Sequence, residues 1–232
     1  MNNNYLPEEF TVDDYLQQAN TLNITAGAIV SGSFQAFDQT YLLASLKRLG
    51  KNFVGVTQLP GTCSDEEILS LNRAGVRAIR FNLKRGGSED IRHIKDMAHR
   101  VNDLANWHVE LYVDASELDD LYSLLVRLPR ISIDHLGLAS DGSSTLLKLV
   151  EKGARVKASG FGRVDFDVAI TMQKIFDISP DALMFGTDLP STRAPRPFKN
   201  SDVQIIYDLF DPSHYHKILY ENAYQWYQSS AV

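Results

Sequence analysis

With 232 residues, 44% hydrophobic and 22% charged, the chain has the composition of an ordinary folded protein and the length to bury a large core. A net charge of −6 with no stripe of lysine or arginine excludes a nucleic-acid partner, and the lone Cys63 excludes an internal disulfide. No apolar run approaches the ~20 residues of a membrane span, and Met1 is followed by Asn2, Asn3, Asn4 and a polar, acidic segment rather than a leader, so the expectation is a cytoplasmic enzyme or binding protein.

Taken in order, short apolar runs alternate with longer amphipathic segments. Thr11 to Leu22 opens with a Thr before Asp13 and Asp14, which suits a helix start, and sets Tyr15, Ala19 and Leu22 on one face. Ala26 to Val30 predicts a strand, ended by Ser31, Gly32 and Ser33. Asp38 or Gln39 to Leu49 predicts a helix with Gly50 at its stop. A strand over Phe53 to Val56, a helix over Asp65 to Ala74 closed by Gly75, and a strand over Ala78 to Phe81 follow. Ser88 to Leu104 predicts a long helix, Val109 to Val113 a strand ending at Asp114, and Leu118 to Leu128 a helix. The strands Ile131 to Ile133, Arg155 to Lys157 and Leu183 to Phe185 alternate with helices over Ser144 to Lys152 and Asp165 to Ile178. Only helices remain after that, over Ser201 to Leu209 and Tyr215 to Gln228.

Seven strands alternating with helices, without a composition break or linker, predict a single α/β domain over residues 1–232 with a parallel sheet. Pattern alone allows either a (β/α)₈-type barrel or an open doubly wound sheet, and no G-x-G-x-x-G follows the first strand.

The stretch LMFGTDLPSTRAPRPF, Leu183 to Phe198, is the most informative. Asp188 is the first charged residue after a buried strand, and Leu189 and Pro190 then turn the chain away. At the carboxyl end of a strand in such folds an acid serves chemistry; the alternative is an Asp capping the next helix. Arg193 and Arg196 stand beside prolines in the following loop and are candidates for presenting positive charge to an anion. Other polar residues fall on the same rim: Ser31 and Ser33, Arg80 and Asn82, Tyr112 and Asp114, Asp134 and His135, Lys157 and Ser159. A His and an Asp from different strands can share a metal or a water, while Arg80 and Lys157 supply charge for a carboxylate or oxyanion. Each has a structural counterpart: His135 beside Gly137 capping a loop, Arg80 pairing with a neighbour, Tyr112 packing at the rim.

Eight pieces carry a resemblance: YLPEEFTVDDYL, GAIVSGSFQAFDQTYLLASL, GVRAIRFNL, HVELYVDASEL, ISIDHLGL, VKASGFGR, FGTDLPSTRAPRPF and ILYENAYQWY. In this order they resemble the amidohydrolase 2 group of the amidohydrolase superfamily, in the branch similar to 2-pyrone-4,6-dicarboxylate lactonase. The resemblance implies a (β/α)₈ TIM-barrel-like hydrolase of a lactone, cyclic ester or amide. It further implies that Asp188 activates water and binds the metal where one is present, and that His135 is a metal ligand or polarises the carbonyl. Arg80 and Tyr112 match positions that face the substrate and its carboxylates, and Ser33, Arg193 and Lys157 complete the expected substrate-binding set.

The family pattern is not followed throughout. Its first strand carries His-x-His, and no such pair precedes His93. Asn4 and Tyr5 match the segment just after that strand, so the expectation is an N-terminally truncated chain of seven strands. Ser191 and Leu189 stand where many relatives carry His and Trp. Asp188 and His135 alone are two ligands, fewer than the three of a catalytic zinc site, so a divalent metal such as zinc and a metal-free site both stay open. His108 begins the strand that is fifth in the family's count and fourth of the seven here, at the wrong end to help. The expected partner is a small carboxylate substrate, and the edges exposed at Ala26 to Val30 and Leu183 to Phe185 are expected either to close into a seven-stranded barrel with a narrowed gap or to be covered by a second copy in a homo-oligomer. Asn2, Asn3, Asn4 and Pro7 make Met1 to Glu9 a poor replacement strand. A hydrolase using Asp188, His135 and Arg80, and a barrel that binds an anion without turnover, are the two functions carried forward.

Overall fold

Thr11 caps the first helix with its side chain, as the sequence leads one to expect. In α1 (Val12–Thr21) the Thr11 hydroxyl accepts the Asp14 N–H at 3.2 Å, and the Asp14 carboxylate accepts the Thr11 N–H at 2.7 Å, which satisfies two donors left open at the helix start. The computed structural model describes residues 5–228, and the chain divides between Glu110 and Leu111 into two compact units.

The first unit alternates β1 (Gly27–Val30), α2 (Thr40–Leu49), β2 (Phe53–Thr57), α3 (Asp65–Arg73), β3 (Val76–Asn82) and α4 (Ile94–Ala105). β1 and β2 pair in parallel from Gly27↔Phe53 to Val30↔Val56, and β2 pairs in parallel with β3 across an irregularity between Gly55 and Val56. Gly55 lets α2 pack closely on β2: a Cβ there would stand 2.9 Å from Leu46 Cδ1 and 3.2 Å from Leu42 Cδ2. Val56, Ala78 and Ile68 are wholly buried. Ser64 and Glu67 form a second capping box at the start of α3. The helix expected over Ser88 to Leu104 is shorter: a 3₁₀ turn (Ile91–His93) capped by Asp90 precedes α4, because the Ser88 hydroxyl is drawn back to accept the Asn82 N–H at 2.8 Å.

β4 (His108–Tyr112) carries the division between the units. The second unit then runs α5 (Leu118–Leu125), β5 (Ile131–Ile133), α6 (Ser143–Glu151), β6 (Arg155–Ala158), α7 (Val168–Ile178) and β7 (Leu183–Phe185), followed by α8 (Asn200–Leu209), α9 (Pro212–His216) and α10 (Asn222–Gln228). β5 pairs with β6 in parallel at Ile133↔Val156, and β6 with β7 from Val156↔Leu183 to Ala158↔Phe185. All three therefore end on one rim. Val156, Leu183, Met172 and Ile175 are fully buried, each such side chain contributing about 1.5–3 kcal/mol through burial.

The helix expected over Tyr215 to Gln228 is not continuous. A π turn, Lys217–Glu221, separates α9 from α10 and brings Asn222 inward, where its Nδ2 donates to the Pro180 and Leu183 carbonyls at 2.9 and 2.8 Å. The seven strands lie in the sheet in chain order, which is the seven-stranded α/β arrangement expected. Residues 5–10 form no strand, and Met1 to Asn4 lie outside the described residues. No helix among the described residues is long and apolar enough to cross a membrane.

Candidate active site

Three of the predicted site residues, with one the sequence did not point to, gather at the carboxyl ends of β5, β6 and β7. Asp188 follows β7 by three residues, in a left-handed conformation (φ 58°) that Asp tolerates better than most residues. It caps no helix. Both carboxylate oxygens instead accept from the Arg163 guanidinium, Nε to Oδ2 at 2.6 Å and Nη2 to Oδ1 at 3.0 Å, and the Arg163 Nη2 also donates to the Thr192 carbonyl at 3.1 Å. The pair is nearly dry, with side-chain exposures of 8% for Arg163 and 13% for Asp188. Burial pulls the Arg163 guanidinium down, but the hydrogen bonds and charge of Asp188, with smaller help from Tyr112 and Asp134, outweigh it and leave the group above its ordinary value.

His135 begins the turn after β5, also with positive φ (52°). Its Nε2 stands 3.8 Å from Asp188 Oδ1, and its Nδ1 lies 2.9 Å from the Ser159 hydroxyl. The chain can pass this close to the ring because Gly160 follows at φ 62°: a Cβ there would be 2.6 Å from Nδ1. Tyr112 packs edge-on against the imidazole, centroids 5.4 Å apart. Lys157 lies within β6, and its Nζ is 3.0 Å from Asp134 Oδ1, so its charge is already balanced in this state.

Arg193 is half-buried in the loop after β7, at φ 61°. Arg196, expected to face an anionic ligand, is instead bound by Asp202: Nη1 to Oδ2 and Nη2 to Oδ1, each at 3.0 Å. Asp202 has a reason to be there, since it accepts the Lys199 N–H at 3.0 Å at the start of α8. Ser191 accepts the Phe198 N–H at 2.9 Å and ties the same loop. A shallow cavity beside Asp188 is lined by Gly160, Phe185, Thr187, Ser191, Arg196 and Phe198.

Arg80 and Ser33 belong to the first unit. Both are buried; the Arg80 Nη1 donates to the Ser31 carbonyl at 2.9 Å. The Tyr41 hydroxyl donates to Ser31 Oγ at 2.5 Å, and its pKa is pushed up to about 12, mainly by burial. His108 pairs with Glu110 at 3.3 Å, both side chains fully buried within β4.

Among the described residues no group of three or more His, Cys, Asp and Glu side chains is arranged to hold a metal ion. Asp188 and His135, the two expected ligands, do not fit one either. Both oxygens of Asp188 are committed to a guanidinium, so a divalent cation on them would lie against the fixed charge of Arg163.

Arg163 is the residue that sequence reasoning missed. It lies five residues beyond the end of β6, in a 3₁₀ turn (Phe161–Arg163), and only the glycines of the Gly160-Phe161-Gly162 step hint at the close approach that returns its side chain to Asp188.

The family model of the amidohydrolases matches residues 1–228. A 2-pyrone-4,6-dicarboxylate hydrolase of Comamonas testosteroni is 26% identical over 197 residues, covering 73% of this chain and 64% of that protein. A 4-sulfomuconolactone hydrolase of Hydrogenophaga intermedia is 22% identical over 206 residues, covering 80% of this chain and 67% of that protein. The chain thus spans about two-thirds of the length of these relatives. A crystal structure from Acinetobacter baumannii, described as a probable 2-pyrone-4,6-dicarboxylic acid hydrolase with citric acid bound, superposes with a TM-score of 0.83 at 23% identity, covering 97% of this chain and 91% of that one. An apo structure from Agrobacterium tumefaciens superposes equally well, at 0.83 and 21% identity, covering 96% and 88%. The fold is therefore that of these structures, and the match along almost the whole sequence shows that the chain belongs to the amidohydrolase family.

Proposed function

We propose that the chain is a hydrolase that opens the ring of a small carboxylate-bearing lactone or cyclic ester, or the corresponding amide. The observation that carries this reading is the meeting of Asp188, Arg163 and His135 at the carboxyl ends of three adjacent strands, one acid, one fixed cation and one imidazole in a largely dry setting. The two relatives support it, since both are named for cyclic esters that carry further anionic groups.

In this reading Asp188 takes a proton from the attacking water after one of its oxygens exchanges Arg163 for that water. His135 polarises the carbonyl, where negative charge develops as the water adds; the adduct then collapses with cleavage of the ring C–O or C–N bond, and the proton taken up by Asp188 passes to the departing oxygen or nitrogen. Tyr112, Lys157 and Arg193 bind the substrate, and Arg80 and Ser33 are proposed for the same role on the family resemblance alone. No step runs through a metal, because Asp188 already serves a guanidinium.

A second reading, binding of a small anion without turnover, is favoured by one observation: both oxygens of Asp188, the candidate base, are engaged by Arg163. The two are separated by incubating the purified protein with 2-pyrone-4,6-dicarboxylate and following the ring absorbance. Turnover that falls roughly 10²–10⁴-fold in Asp188→Asn supports the hydrolase. Calorimetric binding of the same compound with no turnover supports the binder.

A further inference from the structure

We infer that Ser159 is a positioning residue, whose hydroxyl holds neutral His135 in the tautomer with its proton on Nε2. Ser159 is buried, at 4% exposure, just past the end of β6. Among the described residues its hydroxyl has one hydrogen-bond partner, the His135 Nδ1 at 2.9 Å. A buried O–H must donate to something, and a ring nitrogen accepts only when it carries no proton. If the Ser159 O–H donates to Nδ1, both groups are satisfied. If Nδ1–H donates to Ser159 instead, the hydroxyl proton is buried without an acceptor, an arrangement disfavoured by roughly tenfold or more.

The ring is held for this bond from several sides. A Cβ at Gly160 would stand 2.6 Å from Nδ1 and 2.8 Å from Cγ, so the glycine lets the backbone press against the imidazole. A Cβ at Gly186 would be 3.3 Å from the Ser159 Cβ, so the serine itself is closely packed. The Tyr112 ring meets the imidazole edge-on. A flipped ring would turn a carbon toward the hydroxyl and forfeit the bond. With Nδ1 accepting, the proton lies on Nε2, the nitrogen 3.8 Å from Asp188 Oδ1. The carboxylate favours a proton there, and Arg163, which binds the same Asp188 oxygen, packs beside the ring as well: a Cβ at Gly160 would be 3.0 Å from its Cδ.

His135 is then a hydrogen-bond donor toward the reacting atoms. It is neither the base that accepts the water's proton nor a metal ligand through Nε2, since either role needs a lone pair there. The catalytic consequence rests on the proposed hydrolase reading; the tautomer does not.

The test is a long-range ¹H–¹⁵N spectrum of the full chain labelled with ¹⁵N-histidine, at neutral pH. His135 is assigned by the signals lost in His135→Gln or, if that variant does not fold, by those displaced in Ser159→Ala. We expect an unprotonated Nδ1 and a protonated Nε2 in the wild type, and a fivefold or larger shift in tautomer population in Ser159→Ala. A protonated Nδ1 in the wild type, or an unchanged population in the variant, overturns the assignment. With 2-pyrone-4,6-dicarboxylate as substrate, Ser159→Ala should lower kcat about 10–100-fold with KM nearly constant. Absence of turnover in the wild type counts against the hydrolase reading alone, because the spectrum reads the tautomer without it.

Discussion

Replacing Asp188 with Asn tests the site through stability as well as rate, because the substitution keeps the shape and removes the charge that Arg163 needs. The two side chains are 8% and 13% exposed and joined by two hydrogen bonds of 2.6 and 3.0 Å. Breaking a fully buried ion pair costs roughly 3–5 kcal/mol; the Asn carbonyl still accepts one guanidinium N–H, so about 2–4 kcal/mol is expected here. In a chain of this size each kcal/mol lowers Tm by about 2–4 °C. Denaturant unfolding of the wild type, Asp188→Asn, Arg163→Met and the double variant completes a cycle. The expected coupling is about 2 kcal/mol, with Arg163→Met alone as costly as Asp188→Asn, since each leaves a buried charge unpaired. A coupling below about 0.5 kcal/mol would show that the clamp is not maintained in solution, and the arrangement of the site inferred from it would fall.

Three further outcomes are expected. Asn222→Ala removes both donors to the Pro180 and Leu183 carbonyls and should cost about 2–4 kcal/mol in a denaturant midpoint; a change under about 0.5 kcal/mol would mean that the π turn is held by something else. Gly160→Ala places a Cβ 2.6 Å from His135 Nδ1 at a left-handed backbone position, so it should displace the imidazole and lower turnover by about 10²-fold, with parent-like kinetics as the refuting result. Asp14 and Glu67, in the two capping boxes, have pKa values lowered by hydrogen bonds from Thr11 and Ser64, and Asp90 is lowered to about 2 by Arg92. Because the folded values lie below the unfolded ones, this stability is present above the ordinary carboxyl values of 3.8 and 4.5 and is lost as pH falls through the folded values. Thermal unfolding should therefore hold level from about pH 5 to 8 and weaken below about pH 4, and Glu67→Gln should flatten that decline.

Where local chemistry sets an element, the sequence is a sufficient guide. Ile131–Ile133 and Leu183–Phe185 are short, fully apolar or nearly so, and bounded by Pro129-Arg130 and Gly186-Thr187, so pattern and breakers give their limits to the residue. Thr11 and Ser64 each precede an acid at the third helical position, a spacing that is legible because the cap is made within four residues. Arg196 was open to the same reading. Asp202 sits at the third position of α8, and an arginine six residues before it is more readily its partner than a ligand's.

The rest depends on contacts made only after the chain has folded. The π turn before α10 exists because β7 offers two carbonyls to Asn222, and helical periodicity carries no trace of that demand. Arg163 shows the limit most clearly. Twenty-five residues separate it from Asp188, and nothing in the type or spacing of either tells that they will share two hydrogen bonds. The strand ends place Asp188, His135 and Lys157 on one rim, which is why those three are readable. Whether each side chain then meets a substrate or a neighbour is decided by the turns beyond the strands. There Gly160 and Gly162 let the chain fold back on His135 and on the Arg196 carbonyl, and Arg163 reaches Asp188 as a result. A charge at the end of a buried strand thus states that a partner is needed; the loops supply it, and in this protein the partner of the catalytic candidate is a residue of the chain itself.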